Sequence, residues 1–257
     1  MRYFAEISYD GTAYHGWQRQ PGQKTVQSVL EGALGVLLGT ETELTGCGRT
    51  DAGVHARQYF FHFDTSEALP SGLLGRLNRY LPSDIAFHRL MPVQPHAHAR
   101  FDAVRRSYAY HLRFDKSPFD HRGVWRYPFA RQPDFSLVSR AAAMLLAYDR
   151  FGPFCKTHHD ARTMTCELTR SEWEHCPDGR WVYHVSANRF LRGMVRLMVG
   201  MCLNAGTGKV SLAEVQDAMD RQAPMPSSWS VPPQGLYLTE VSYGARPPWQ
   251  LPAGAFP

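Results

Sequence analysis

No run of eighteen consecutive apolar residues occurs anywhere in the 257-residue chain, so no segment reads as a membrane-spanning helix. The opening stretch, Met1 to Glu6, has no apolar signal core and passes straight into a strand-like pattern, which predicts a cytoplasmic protein. Cysteine is sparse: Cys47, Cys155, Cys166, Cys176 and Cys202 form an odd, scattered set with no C-x-x-C pair, as expected of reduced thiols rather than a disulfide framework. There is no G-x-x-x-x-G-K-[ST] loop, no G-x-G-x-x-G turn and no G-x-S-x-G elbow, so nucleotide-cofactor and serine-hydrolase chemistry lack their usual supports. Histidines His96 and His98, and the pair His158 and His159 near Cys155 and Asp160, lack an accompanying H-E-x-x-H or C-x-x-C. That is a weak metal signal, and no metal is expected.

What is present describes an ordinary globular chain, 44% hydrophobic and 20% charged, with a net charge of +5 carried largely by arginine. Arginine offers a planar fork for phosphate and a flat face for bases, but a charge of this size leaves a nucleic-acid partner undecided on composition alone.

Apolar and polar residues alternate over 3–9, a strand that stops at Asp10 and Gly11. Thr25 stands as a helix cap before Val26, Val29, Leu30, Ala33, Leu34 and Leu37 at helical spacing. Further strands are predicted near 40–45, 58–63 and 85–91, with a helix over 71–80. Beyond 104 the same grammar returns: strands near 105–114, 122–127, 165–174, 180–187 and 236–241, and helices near 136–147, 188–204 and 213–221. This alternation predicts layered α/β or α+β packing, in an N-terminal domain over 1–103 and a C-terminal domain over 104–244. The tail over 245–257 holds four prolines and is expected to be extended or disordered.

Four segments carry candidate chemistry. Gly48-Arg49-Thr50-Asp51-Ala52-Gly53-Val54-His55-Ala56 sets one acid between a base and two glycines, so a tight loop can present Asp51 to a ligand, with Arg49 able to pair with it or reach an anion. T-D-A-G alone is equally an ordinary turn. Gly16-Trp17-Gln18-Arg19-Gln20 puts an indole beside amide and guanidinium groups; it suits an RNA backbone or unstacked base, or a half-buried tryptophan with polar neighbours. Tyr108 and Tyr110, two apart on a strand, share one face, for stacking on a base or for core packing. Arg189, Arg192 and Arg196 fall at i, i+3 and i+7, within about 60° on a helix, opposite an apolar arc.

Taken in order, Tyr9-Asp10-Gly11, Gly16-Trp17-Gln18-Arg19-Gln20, the Asp51 loop, Leu81-Pro82-Ser83-Asp84-Ile85, His98-Ala99-Arg100-Phe101, Tyr108-Ala109-Tyr110, Met194-Val195-Arg196-Leu197-Met198-Val199-Gly200 and Gly235-Leu236-Tyr237-Leu238 resemble the TruA family of tRNA pseudouridine synthases. The resemblance covers residues 2 to about 242. It implies an α+β fold of two similar domains, each a mixed, mostly antiparallel sheet with helices on one face, and an active-site cleft between them. It implies an isomerase that needs no cofactor and converts uridine to pseudouridine at nucleotides 38 to 40 of the tRNA anticodon stem-loop, working as a homodimer. Carried over residue by residue, Asp51 matches the nucleophile, Tyr108 the ring that stacks on the target base, Arg196 the partner of the catalytic carboxylate, and Arg49 the arginine that helps extrude the nucleotide. His158 and His159 match no family motif, and Pro233-Gln234 stands where a basic residue or histidine is often found. Two other functions compete: a tRNA-binding protein without turnover, and a hydrolase pairing Asp51 with a second acid, for which the sequence offers no obvious partner.

Overall fold

The computed structural model describes residues 1–155 and 163–250. The fold is mixed α/β, and the chain forms two compact units: one of 1–105 with the segment from Leu238 onward, the other of 106–237.

In the first unit β1 (Arg2–Tyr9) is followed by α1 (Val26–Leu38), β2 (Thr45–Gly46), β3 (His55–Asp64), α2 (Leu73–Tyr80) and β4 (Ile85–Val93). β1 lies between β3 and β4, antiparallel to both, with Phe4 opposite His62 on one side and Met91 on the other. Packed on both sides, it buries Tyr3, Phe4 and Ala5 in succession instead of alternating cleanly. α1 starts where its cap predicts: Thr25 accepts from the Ser28 backbone N–H while the Ser28 hydroxyl accepts from that of Thr25. Val26, Leu30, Ala33 and Leu34 form its buried stripe, and Gly39, at φ 72°, ends it.

The strand expected over 40–45 shrinks to Thr45–Gly46. Before it, the backbone of Leu44 is held by side chains of α1, its N–H by Glu31 at 3.3 Å and its carbonyl by the Gln27 amide at 3.0 Å, so it needs no strand neighbour.

His62 on β3 is 6% exposed and accepts the Ala99 N–H at Nδ1, 3.1 Å, so the neutral ring is the one that fits. Burial, reinforced by Arg2 and His98, lowers its pKa to about 4, against the opposing pull of Asp64 and Asp102. The unfolded chain therefore takes up this proton first as the pH falls. His62 contributes stability that is complete above about pH 6.5 and lost on the way down to about 4, worth up to about 3 kcal/mol. Urea midpoints of the wild type and His62→Asn, compared at pH 7.5 and 4.5, are expected to show a steeper acid loss in the wild type; parallel losses would contradict the assignment.

The second unit holds β5 (Arg105–Arg113, from Arg106), β6 (Trp125–Arg126), α3 (Phe135–Met144), β7 (Leu168–His175), β8 (Trp181–Ala187), α4 (Met194–Gly206) and α5 (Leu212–Asp220). β8 lies between β5 and β7, antiparallel to both, while β6 runs parallel to the end of β5. α4 is the core helix of this unit, buried at every position except Arg196. Its Gly200 lies so close to the Trp229 carbonyl oxygen that an added methyl would overlap it.

The helix expected over 188–204 begins six residues later. Gly193 takes a left-handed φ of 72°, so Arg189 and Arg192 precede the first turn, and the three arginines form no helical stripe. Arg196 alone of the three lies on α4.

β9 (Leu236–Ser242) is the last strand, and from Leu238 it lies beside β3 in the first unit. The Gln58 side chain accepts the Val241 N–H at 3.0 Å, and Val104 donates to the Ser242 carbonyl at 2.8 Å. Trp249 stacks on Phe60 with centroids 5.1 Å apart and also meets Phe4 and Tyr243. Residues 251–257, and His158, His159 and Asp160, lie outside the described residues.

Candidate active site

The loop bearing Asp51 is a turn pinned on both flanks. β2 leads in along β3, and Cys47 donates to the Phe60 carbonyl at 2.8 Å. The loop then leaves the sheet, and the Tyr59 hydroxyl donates to the Gly48 carbonyl. Thr50 is buried, its hydroxyl 2.9 Å from that of Tyr9 and its carbonyl accepting from Trp17 at 3.2 Å. On the far side Val54 donates back to the Asp51 carbonyl at 3.2 Å, and Gly53, at φ 76°, donates to Tyr14 at 3.1 Å. Between these anchors Asp51 is half-buried, with Arg49 exposed two residues before it.

A second loop backs this turn. Gly11 packs against the Val54 backbone and donates to Nδ1 of His55, which lies 3.0 Å from Asp10 Oδ1. Gly16, at φ 81°, lies against the backbone of Thr50, Asp51 and Ala52, where a methyl would meet the Thr50 carbonyl. Trp17 is the plate beneath, 2% exposed and stacked on Tyr59 at 4.1 Å. Of the two readings open for Trp17, the packed one holds: the indole is core, while Gln18, Arg19 and Gln20 beside it are exposed. Gly16→Ala is expected to cost about 1–3 kcal/mol through strained backbone and overlap, and to slow single turnover as Asp51 is displaced. Denaturation midpoints and a single-turnover rate test this together, and wild-type values in both would contradict it.

Beside the loop is an open hollow of about 160 Å³ whose lining includes Trp17, Gln18, Gly46, Gly48, Arg49 and Arg100. Polar and cationic groups thus gather two residues from the carboxylate. Arg100 is far from the Asp51 loop in the chain, and only its place in an H-A-R-F segment marks it in the sequence.

In the second unit the two tyrosines of β5 separate by environment. Tyr110 is fully buried, donates to the Pro232 carbonyl at 2.9 Å, and has its phenol pKa pushed well up by burial. Tyr108, opposite Val185 of β8, is half-buried, its ring edge-on to Phe190 at 5.1 Å. Arg196 is half-buried, its Nε donating to the Val231 carbonyl at 2.6 Å while Val231 N–H returns a bond to the Arg196 carbonyl. That anchors the stem of the guanidinium near the start of α4.

Burial raises the Cys166 and Cys202 thiols to about 11 and about 12, so neither is a ready nucleophile. Among the described residues no group of three or more His, Cys, Asp or Glu side chains is arranged to hold a metal ion. No described helix is long and apolar enough to cross a membrane.

A family model described as tRNA pseudouridine synthase matches residues 5–102 and 141–244. The chain belongs to the tRNA pseudouridine synthase family. Its relatives agree along nearly the whole length. It is 41% identical to a tRNA pseudouridine synthase A of Bacteroides fragilis, covering 95% of this chain and 96% of the relative. With the enzyme of the same name from Parabacteroides distasonis it shares 40% identity over 94% and 96% of the two chains. With that of Bacillus subtilis it shares 35% over 95% and 99%. As a pseudouridine synthase the chain is an isomerase, and the Asp51 loop lies within the first matched segment.

Proposed function

We propose that this protein isomerises uridine to pseudouridine at nucleotides 38 to 40 of the tRNA anticodon stem-loop, with Asp51 as the nucleophile. Membership of the family makes tRNA the substrate and uridine-to-pseudouridine isomerisation the reaction. The observation that carries the residue-level reading is the Asp51 turn, a carboxylate presented from a backbone held at Gly48, Thr50, Gly53 and Val54.

The reaction breaks the N1–C1′ bond, turns the detached uracil and joins C5 to C1′; the C5 proton leaves and N1 regains one. Atoms and electrons balance without a redox partner, so a carboxylate, a ring to hold the base and a closed pocket suffice, and no cofactor is called for. A carboxylate nucleophile has its parallel in glycoside cleavage. Attack by Asp51 on the sugar carbon and attack on the base both fit this scheme. Arg196 serves as partner of the carboxylate, its guanidinium matching the carboxylate's charge and shape. Tyr108 stacks on the base, and Arg49 helps draw the nucleotide from its stem at a cost of a few kcal/mol, offset by phosphate contacts. The enzyme acts in the cytoplasm as a homodimer whose protomers share one tRNA.

The test is tRNA carrying tritium on uridine C5. Isomerisation releases tritium to water and leaves no free uracil. Free uracil would favour the hydrolytic reading, and tight binding without release the binding-only one.

A further inference from the structure

Phe101 is 74% exposed, yet the loop that carries it is held at nearly every step. Arg2 donates to the Ala97 carbonyl at 3.0 Å, Ala99 donates to His62 Nδ1 at 3.1 Å, and the Tyr243 hydroxyl donates to the Ala99 carbonyl at 2.7 Å. The His98 N–H goes to Asp102 Oδ2 at 2.7 Å, so the one acid of this turn is directed at its own backbone. His98 Nδ1 accepts from the N–H groups of Arg100 and Phe101 at 3.1 and 3.3 Å, as a neutral ring must, and burial lowers the pKa of that ring. The imidazole also backs the phenyl ring, centroids 4.2 Å apart, and the Arg100 guanidinium stands 5.7 Å over it.

An exposed ring is common on a protein surface; this one is set apart by a backbone that fixes its position and so lowers the cost of ordering it on binding. Its surroundings are cationic, since Arg100 also lines the hollow shared with Arg49. A flat ring beside guanidinium groups matches a polyanion with unstacked bases better than it matches an apolar protein surface.

We propose that Arg100 and Phe101 form a second tRNA contact on the first unit, Phe101 stacking on an unpaired base and Arg100 holding an adjoining phosphate. The contact lies beside the reacting nucleotide and sets how the anticodon arm is seated. It rests on tRNA being the substrate, and it gives the Asp51 loop a separate positioning surface.

The test measures binding of unmodified tRNA, turnover at saturating tRNA, and sedimentation, for Phe101→Ala, Phe101→Leu, Phe101→Trp and Arg100→Gln. Phe101→Ala and Phe101→Leu are expected to weaken binding roughly 5- to 50-fold, with Phe101→Trp restoring it, because only a ring presents a stacking face. Turnover at saturation stays near wild type in the Phe101 variants, which separates this proposal from the reading of Asp51. Arg100→Gln is expected to lower the salt slope of binding by about one. Wild-type affinity in Phe101→Ala, or full restoration by leucine, would overturn stacking, and an unchanged salt slope would overturn the phosphate contact. A change in sedimentation with tRNA affinity intact would show that the ring meets a second copy of the chain instead. Loss of turnover in the wild type itself would count against the proposed function, not against this surface.

Discussion

Asp51→Asn is expected to bind tRNA nearly as well as the wild type and to form no pseudouridine, a loss of at least about 10⁴-fold in turnover. Asparagine keeps the size and the turn, because the bonds that hold this loop come from Gly48, Thr50, Gly53 and Val54. What it removes is the negative oxygen. Single-turnover tritium release and filter binding on the same preparation separate the two effects. Turnover within a hundredfold of wild type would mean that another group attacks. A parallel collapse of binding would mean that the loop, and not the nucleophile, had been lost.

Tyr108 carries the second large effect. Stacking of one base on an aromatic ring is worth about 1–3 kcal/mol, so Tyr108→Ala is expected to weaken tRNA engagement roughly 5- to 150-fold and to reduce turnover further as the detached base loses its platform. Tyr108→Phe keeps the ring and should retain binding. Its edge-on contact with Phe190 does not require the hydroxyl. Equal losses of binding in the two variants would remove the stacking role. Tyr110 is the contrasting control: with its hydroxyl bound to Pro232 and its ring fully buried, Tyr110→Phe is a matter of stability.

Elements whose signals are local read well from the sequence. Thr25 and the 3.6-residue spacing behind it place α1 to within a residue, and the glycine-flanked acid marks the Asp51 turn because tight loops draw on few residue types. Other features are decided by backbone angles or by packing that sequence spacing does not show. The arginine spacing over 189–196 satisfies a helical wheel, but Gly193 in a left-handed conformation delays the helix, and no count of spacing reveals a backbone angle. Trp17 has polar neighbours on both sides in sequence, yet Tyr59, 42 positions along, makes it core. The strand expected before Thr45 gives way to side chains of α1. The tryptophan and the strand depend on partners elsewhere in the chain. The same holds for Arg100, which joins Arg49 at one hollow through the fold alone.

The most direct measurement of the central claim is to incubate the protein with unmodified tRNA carrying uridine at nucleotides 38 to 40 and map the product by carbodiimide-dependent primer extension. Stops confined to those nucleotides, and absent with Asp51→Asn, are the expected result. Stops at other uridines, or none despite tight tRNA binding, would contradict it.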